Sequence, residues 1–316
     1  LAVRAVTEKD KKDIKFGVKH DVDMLAVSFV RNAEDVLDAR YLIEDYQQEL
    51  NKNSQQEVKI IAKIERAAAI ENIEEIIDVV DGIMVARGDL GIEIPAQKVP
   101  IKQKKLIDLA IENSKPVIVA TQMLDSMQEN PRPTRAEVSD VSNAVIDHTD
   151  AVMLSGETAT GDYPVKSVET MANIISETEE SHYDDLPPTK LTDGILETDE
   201  VLTILSRVVS EEIDAKLILA ASLSGETARL ISRCRPELPI VVATSNKRVQ
   251  RQLNLSWGVL PFVLSDCNTI EELIERSTLH LKRNNLVETG DKIIVVAGEP
   301  VGEAGQVNML EVKQIS

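Results

Sequence analysis

The sequence predicts an α/β protein built from βαβ units around buried parallel sheet, and three observations carry that expectation. Its apolar runs are short, unalternating and separated by helix-length segments, the way strands buried on both faces read. Aromatic residues are only 3% of the chain against 43% apolar residues, so the core must be made from Ile, Val, Leu, Ala and Met. The strand-like runs of the first half also end in polar residues: Ser28, then Lys63 and Glu65, then Arg87 to Asp89, Thr121, and Ser155 to Glu157. Polar groups gathered at the C-terminal ends of parallel strands mark the active-site face of an α/β barrel. An open doubly wound sheet obeys a similar rule, so spacing alone leaves both architectures open.

Taken in order, Thr7-Glu8-Lys9-Asp10 reads as a helix start with Thr7 as cap, the helix running to about Val18. Asp23 to Val27 reads as a strand, a helix opens at Asn32 or Ala33 and runs to about Leu50, and Val58 to Glu65 is the next strand. Ile70 to Val80 is amphipathic and predicts one helix. Strand Gly82 to Ala86, a loop, a helix from about Ile101 to Asn113 and strand Pro116 to Ala120 follow. Beyond a Pro-rich loop, Thr134-Arg135-Ala136-Glu137 is a capping box. Strand Ala151 to Leu154 and a helix from Pro164 to about Glu179 end the first half.

Ser181 to Asp199, acidic and containing Pro187-Pro188, reads as a linker into a smaller α/β unit. There the expected strands are Leu217 to Ala220, Ile240 to Ala243, Val259 to Val263, Lys292 to Ala297 and Val307 to Val312. The expected helices are Val201 to Ile213, Thr227 to Arg235, Asn246 to Leu253 and Ile270 to Arg283. The expected domains are therefore residues 1–182 and 183–316.

A net charge of −19 argues against a sequence-independent grip on nucleic acid or on an anionic membrane surface. An anionic substrate would need local cations, lysines or backbone amides to overcome that background. No apolar run approaches the roughly 18 residues of a membrane span, and the charged stretch Glu8 to Asp13 is unlike a signal peptide. Cys234 and Cys267 give no disulfide framework and fit a reducing compartment. The start at Leu1 rather than methionine suggests that translation began upstream.

As a strand, Val58 to Glu65 puts Val58, Ile60, Ala62 and Ile64 on one face and Lys59, Ile61, Lys63 and Glu65 on the other. An ammonium and a carboxylate side by side at a strand tip suit a site for a metal and a phosphate; they also fit a surface ion pair of little energetic weight. Asp89 closes the apolar run Ile83 to Ala86, and together with Glu65 it would make a pair of carboxylates suited to Mg²⁺. Arg87-Gly88-Asp89-Leu90-Gly91 reads either as a turn or as a source of free backbone N–H groups for an anion. Ser222, Leu223, Ser224, Gly225, Glu226 and Thr227 lie between a strand and a helix, where they could cradle a phosphate or simply cap the helix, and Glu226 weakens the first reading. His20, His148, His182 and His280 show no metal-ligand spacing.

Lys63-Ile64-Glu65, the run Asp81 to Pro95, Ala120 to Met127 and Met153 to Ala159 together resemble the pyruvate kinase family. So do Thr7 to Asp10, Asn130 to Glu137 and Ile231-Ser232-Arg233, and the resemblance extends over essentially the whole chain. It implies a partial TIM-type (β/α) barrel followed by a C-terminal α/β regulatory domain. The implied reaction moves the phosphoryl group of phosphoenolpyruvate to ADP, with Mg²⁺ and usually K⁺, in a cytoplasmic homotetramer. By residue match, Glu65 and Asp89 would ligate Mg²⁺ and Lys63 would neutralise the migrating phosphoryl group. The N–H groups of Gly88 and Asp89 would hold the substrate carboxylate, with Thr121 beside the carbon that receives a proton. Ser222 to Thr227 matches a loop that binds sugar phosphate in some members, and Gly302 to Asn308 its partner loop.

The same resemblance implies that three opening barrel strands, with an Arg/Asn/Ser motif and an Asp serving phosphate and K⁺, and a small lid domain belong to sequence not present here. The chain is therefore expected to be a fragment of a longer subunit. Asp21 and His148 stand where the family usually has glycine, and Ala68 where it has an acidic or polar residue. Two rival readings follow: a Mg²⁺-dependent lyase acting through a pyruvate enolate, needing no nucleotide, and a catalytically incomplete module serving binding or assembly.

Overall fold

The computed structural model describes residues 6–52, 57–186, 196–298 and 307–316. The chain divides into two compact units, Leu1–Asp185 and Leu186–Ser316.

The first unit alternates strand and helix: α1 (Glu8–Lys19), β1 (Met24–Val27), α2 (Ala33–Glu49), β2 (Lys59–Ile64), α3 (Ala67–Glu71), α4 (Ile73–Val79), β3 (Gly82–Ala86), α5 (Arg87–Glu93), α6 (Val99–Glu112), β4 (Val117–Ala120), α7 (Arg135–Ile146), β5 (Ala151–Met153), α8 (Gly156–Ala159) and α9 (Pro164–Glu179). Its five strands are parallel and lie in chain order, β1-β2-β3-β4-β5. One face buries Ile60, Ala62, Ile64, Ile83, Val85, Val117 and Val119 in a single apolar cluster with residues of the helices. On the alternate positions Ile61, Met84, Ala86 and Ala120 are buried as well, which is why these strands read as continuous apolar runs.

Local signals set the helix starts. Thr7 with Asp10, and Thr134 with Glu137, both form reciprocal capping boxes, and Asn32 accepts the N–H of Asp35. Asp21 and His148 take left-handed backbone at φ 57° and 62°.

Two expectations change. Residues 70–80 form two helices, because the chain breaks at Asn72, whose amide donates to the Arg31 carbonyl at 2.9 Å. Residues 87–93, expected as a loop, form α5: β3 runs into it without a side-chain cap, and Leu90, fully buried, pins it to the core.

The second unit comprises α10 (Thr198–Glu212), β6 (Leu217–Ala221), α11 (Glu226–Ser232), β7 (Ile240–Thr244), α12 (Lys247–Leu253), β8 (Val259–Val263), α13 (Ile270–Arg283), β9 (Lys292–Ala297) and β10 (Met309–Gln314). Its sheet order is β10-β9-β6-β7-β8, with β10 antiparallel to β9 and the other pairs parallel. Apolar clusters cover both faces, Leu217 and Leu219 on one and Ile218 and Ala220 on the other. α10 begins inside the stretch expected as linker, and β10 runs two residues beyond the expected end at Val312. Residues 187–195 of that linker and 302–306 of the loop from Gly302 lie outside the described residues. Among the described residues no helix is long and apolar enough to cross a membrane.

Candidate functional site

The registers Val27↔Ala62, Ile64↔Val85, Ala86↔Ala120 and Ala120↔Met153 bring the C-terminal tips of all five strands of the first unit to one end of the sheet. Glu65, one residue beyond β2, is 1% exposed. Its Oε2 accepts the N–H of Phe29 at 2.8 Å, and its Oε1 lies 2.6 Å from the Lys63 ammonium. That approach is outside hydrogen-bonding alignment, so Oε1 is a buried carboxylate oxygen with a charge beside it but no hydrogen bond. Lys63 itself is a quarter exposed and also donates to the Ser28 hydroxyl at 3.2 Å. The two side chains predicted to share a strand tip do meet, and they form a half-solvated, half-buried pair rather than a surface one.

Gly88 and Thr121, predicted separately, are in direct contact: the Gly88 N–H donates to Thr121 Oγ1 at 2.7 Å, while that hydroxyl donates to its neighbour's carbonyl, Ala120 O, at 2.6 Å. Thr121 and Gln122 hold φ 69° and 54°, a costly conformation for a β-branched residue. The Arg87 guanidinium maintains it, donating to the carbonyls of Thr121 at 2.9 Å and Gln122 at 3.0 Å and reaching Asp140 at 2.7 Å. Asp89 sits exposed in the first turn of α5. Among the described residues no group of three or more His, Cys, Asp and Glu is gathered to hold a metal.

The two halves of the chain match two sequence models of one family: residues 1–168 match "Pyruvate kinase, barrel domain" and residues 200–313 match "Pyruvate kinase, alpha/beta domain". The chain belongs to the pyruvate kinase family. It is 44% identical over 316 residues to the pyruvate kinase of Clostridium acetobutylicum, covering all of this chain and 65% of that protein. It is 45% identical to those of Sporosarcina psychrophila and Geobacillus stearothermophilus, covering 98% of this chain and 52% of each of them. The chain thus spans between about half and two thirds of the length of the pyruvate kinases it matches.

Two further residues shape the same end of the sheet, and the sequence marked them only as parts of polar strand ends, with no role assigned. Arg87 is one, flagged only by adjacency to Gly88 and Asp89. Glu157 is another: a 1% exposed carboxylate whose oxygens accept the N–H groups of Leu124 at 3.1 Å and Ser155 at 2.8 Å, tying the β4 and β5 loops together. Its place in the polar end of its strand, Ser155 to Glu157, was the signal that pointed to it.

In the second unit, the loop Ser222 to Thr227 uses its own hydroxyls internally. Ser222 accepts the Gly225 N–H at 3.0 Å and Ser224 accepts that of Glu226 at 3.3 Å, with Gly225 at φ 84°. A side chain added at Gly225 would come within 3.0 Å of the Arg229 guanidinium, so a cation lies over this loop.

Proposed function

We propose that this chain carries the centre of a Mg²⁺-dependent site that transfers the phosphoryl group of phosphoenolpyruvate to ADP, giving pyruvate and ATP. The observation that carries the reading is Glu65: a buried carboxylate oxygen without a hydrogen bond, beside a lysine, at the end of a parallel sheet. That donor suits a hard cation, and Mg²⁺ usually takes one or two protein carboxylates and fills the rest of its shell with water and substrate oxygens. Glu65 and Asp89 would hold it. When bound, the ion supplies positive charge to the substrate's carboxylate and enolate oxygens.

The protein's own groups do the rest. Phosphoryl transfer asks for positioning and charge neutralisation more than covalent chemistry. Lys63 presents its ammonium to the migrating group, while Glu65 and Ser28 hold the side chain at the strand tip. The Gly88 N–H, at present given to Thr121, is the donor that a substrate carboxylate would take over. That exchange frees a lone pair on Thr121 Oγ1, and turning the hydroxyl away from Ala120 O aims its proton at the enolate carbon. A K⁺ requirement, an assembly of four like subunits, a cytoplasmic setting and a phosphorylated effector at Ser222 to Thr227 under Arg229 belong to the same reading.

The test is ATP formation from phosphoenolpyruvate and ADP by this chain and by a version extended at its N-terminus. Turnover that Lys63→Met abolishes supports the reading; pyruvate released by carbon–carbon cleavage of a 4-hydroxy-2-oxo acid, with Mg²⁺ and no nucleotide, favours a lyase instead. A second reading has one observation in its favour: among the described residues, β1 and β5 each pair on one side only. On that reading the chain binds or assembles without turning over. Binding of phosphoenolpyruvate with no ATP formed, even when extended, would select it.

A further inference from the structure

Glu65 lies just beyond β2 and Asp89 on α5, so a metal held by both needs something to fix one relative to the other. α5, which carries Asp89, is seven residues long and starts without a side-chain cap. Its first turn is tied to the β4 tip through Gly88 and Thr121. Its last residue, Glu93, is tied elsewhere: Oε1 accepts from Arg66 Nη1 at 2.6 Å. Arg66 directly follows Glu65 in the chain. On the other side the Arg66 guanidinium lies 5.0 Å from the centre of the Phe29 ring, within cation–π range. Phe29 is the residue whose N–H holds Glu65 Oε2, and it does so from left-handed backbone at φ 58°, a strained conformation for a bulky side chain. One guanidinium therefore touches both the loop that orients Glu65 and the helix that carries Asp89.

We propose that Arg66 is a positioning residue for the metal pair: it clamps the β1 loop, the β2 tip and the C-terminal end of α5 so that Glu65 and Asp89 are held at one spacing. The inference rests on the reading of those two carboxylates as metal ligands. It differs from a stabilising role. Arg66 and Glu93 are 42% and 30% exposed, and an ion pair in such a setting contributes little to global stability. Its effect falls on the freedom of a short helix, and residues that orient metal ligands typically change metal affinity roughly 10- to 100-fold.

The sign of the effect separates positioning from plain electrostatics. A cation beside a metal site repels the metal, so a guanidinium acting only through charge would tighten metal binding when removed. A clamp predicts the reverse.

The experiment is Mn²⁺ binding to the whole chain, followed by the electron paramagnetic resonance of free Mn²⁺, with thermal unfolding recorded on the same samples. The variants are Glu65→Gln, Arg66→Ala, Arg66→Lys and Glu93→Gln. Expected results are loss of binding in Glu65→Gln, about tenfold weaker binding in Arg66→Ala and in Glu93→Gln, partial recovery in Arg66→Lys, and no loss of cooperative unfolding. Glu93→Gln breaks the clamp from its far end but also removes a negative charge, so the sign is read on Arg66→Ala, whose folding the unfolding curves report, with Arg66→Lys as the charge-keeping control. Unchanged or tighter Mn²⁺ binding in both clamp variants, with Glu65→Gln still abolishing it, overturns the role of Arg66 and leaves the metal reading standing. Absent binding in the parent chain, or binding unaffected by Glu65→Gln, overturns both.

Discussion

Asp81, between α4 and β3, offers a direct test of how the strand carrying Lys63 is held in register. Its Oδ2 accepts the Ile60 N–H at 2.8 Å and Arg40 Nη2 at 3.0 Å, and its Oδ1 lies 3.1 Å from the Lys59 ammonium. Burial alone would push this carboxyl up, but Lys59, the Ile60 N–H and Arg40 together outweigh it and hold it below the ordinary carboxylate range. In Asp81→Asn the shape is kept and the charge is lost. The amide oxygen can still accept from Ile60, while the amide nitrogen faces Lys59 donor to donor. A hydrogen bond to a charged group is worth roughly 1.5–3 kcal/mol, so the expected loss is about 2 kcal/mol. For a unit of this size that lowers the unfolding temperature by about 4–8 °C at neutral pH. The sign with pH follows from the depressed pKa. The stabilisation is complete above about pH 5, where an unfolded aspartate with pKa near 3.9 is already ionised, and it is lost as pH falls through the lower folded value. Thermal unfolding of both proteins across that range is the assay. A gap absent at pH 7, or one that persists undiminished into strong acid, refutes the reasoning.

Two further outcomes are expected. Gly82→Ala puts a methyl group 2.8 Å from both Ile61 Cδ1 and the Pro116 carbonyl, so denaturant unfolding should show about 1–3 kcal/mol of destabilisation by overpacking at the centre of the sheet. Thr134→Ala removes the hydroxyl that caps α7 and should cost about 1 kcal/mol. Burial pushes Glu137 up, yet the bonds it accepts from Ser126 and Thr134 hold it down, so its contribution is present above the ordinary carboxylate range and fades as pH falls through the lowered value. The acid limb of the unfolding curve should therefore be shallower in Thr134→Ala than in the parent.

Features set by near neighbours in sequence were legible in advance. Thr7 with Asp10 and Thr134 with Glu137 each form a box within one helical turn, and Lys63 and Glu65 share a face because they are two apart on a strand. The five parallel strands announced themselves through apolar runs that end in polar residues. What escaped was fixed at a distance. Gly88 and Gly91 suggest a turn, and the bond that helps make α5 a helix comes from Thr121, 33 residues on. The break at Asn72 answers to a carbonyl 41 residues before it, at Arg31. The same holds in the site: the adjacency of Glu65 and Lys63 is local, whereas the fork of Arg87 onto Thr121 and Gln122 exists only once β3 and β4 have paired.

The two strand orders bear on how the chain assembles as it is synthesised. In the first unit each strand after β1 pairs with the one made just before it, so from β2 to β5 each new strand finds an edge waiting. In the second, β6 pairs at once with β7, yet its other edge stays open until β9 is made, and β10 can close that side only after β9. The first sheet can grow in one direction at the pace of translation. The second must keep an interior strand, Leu217–Ala221, half bare while residues up to Ala297 are added, so it is the half whose nascent form stands in greater need of a chaperone.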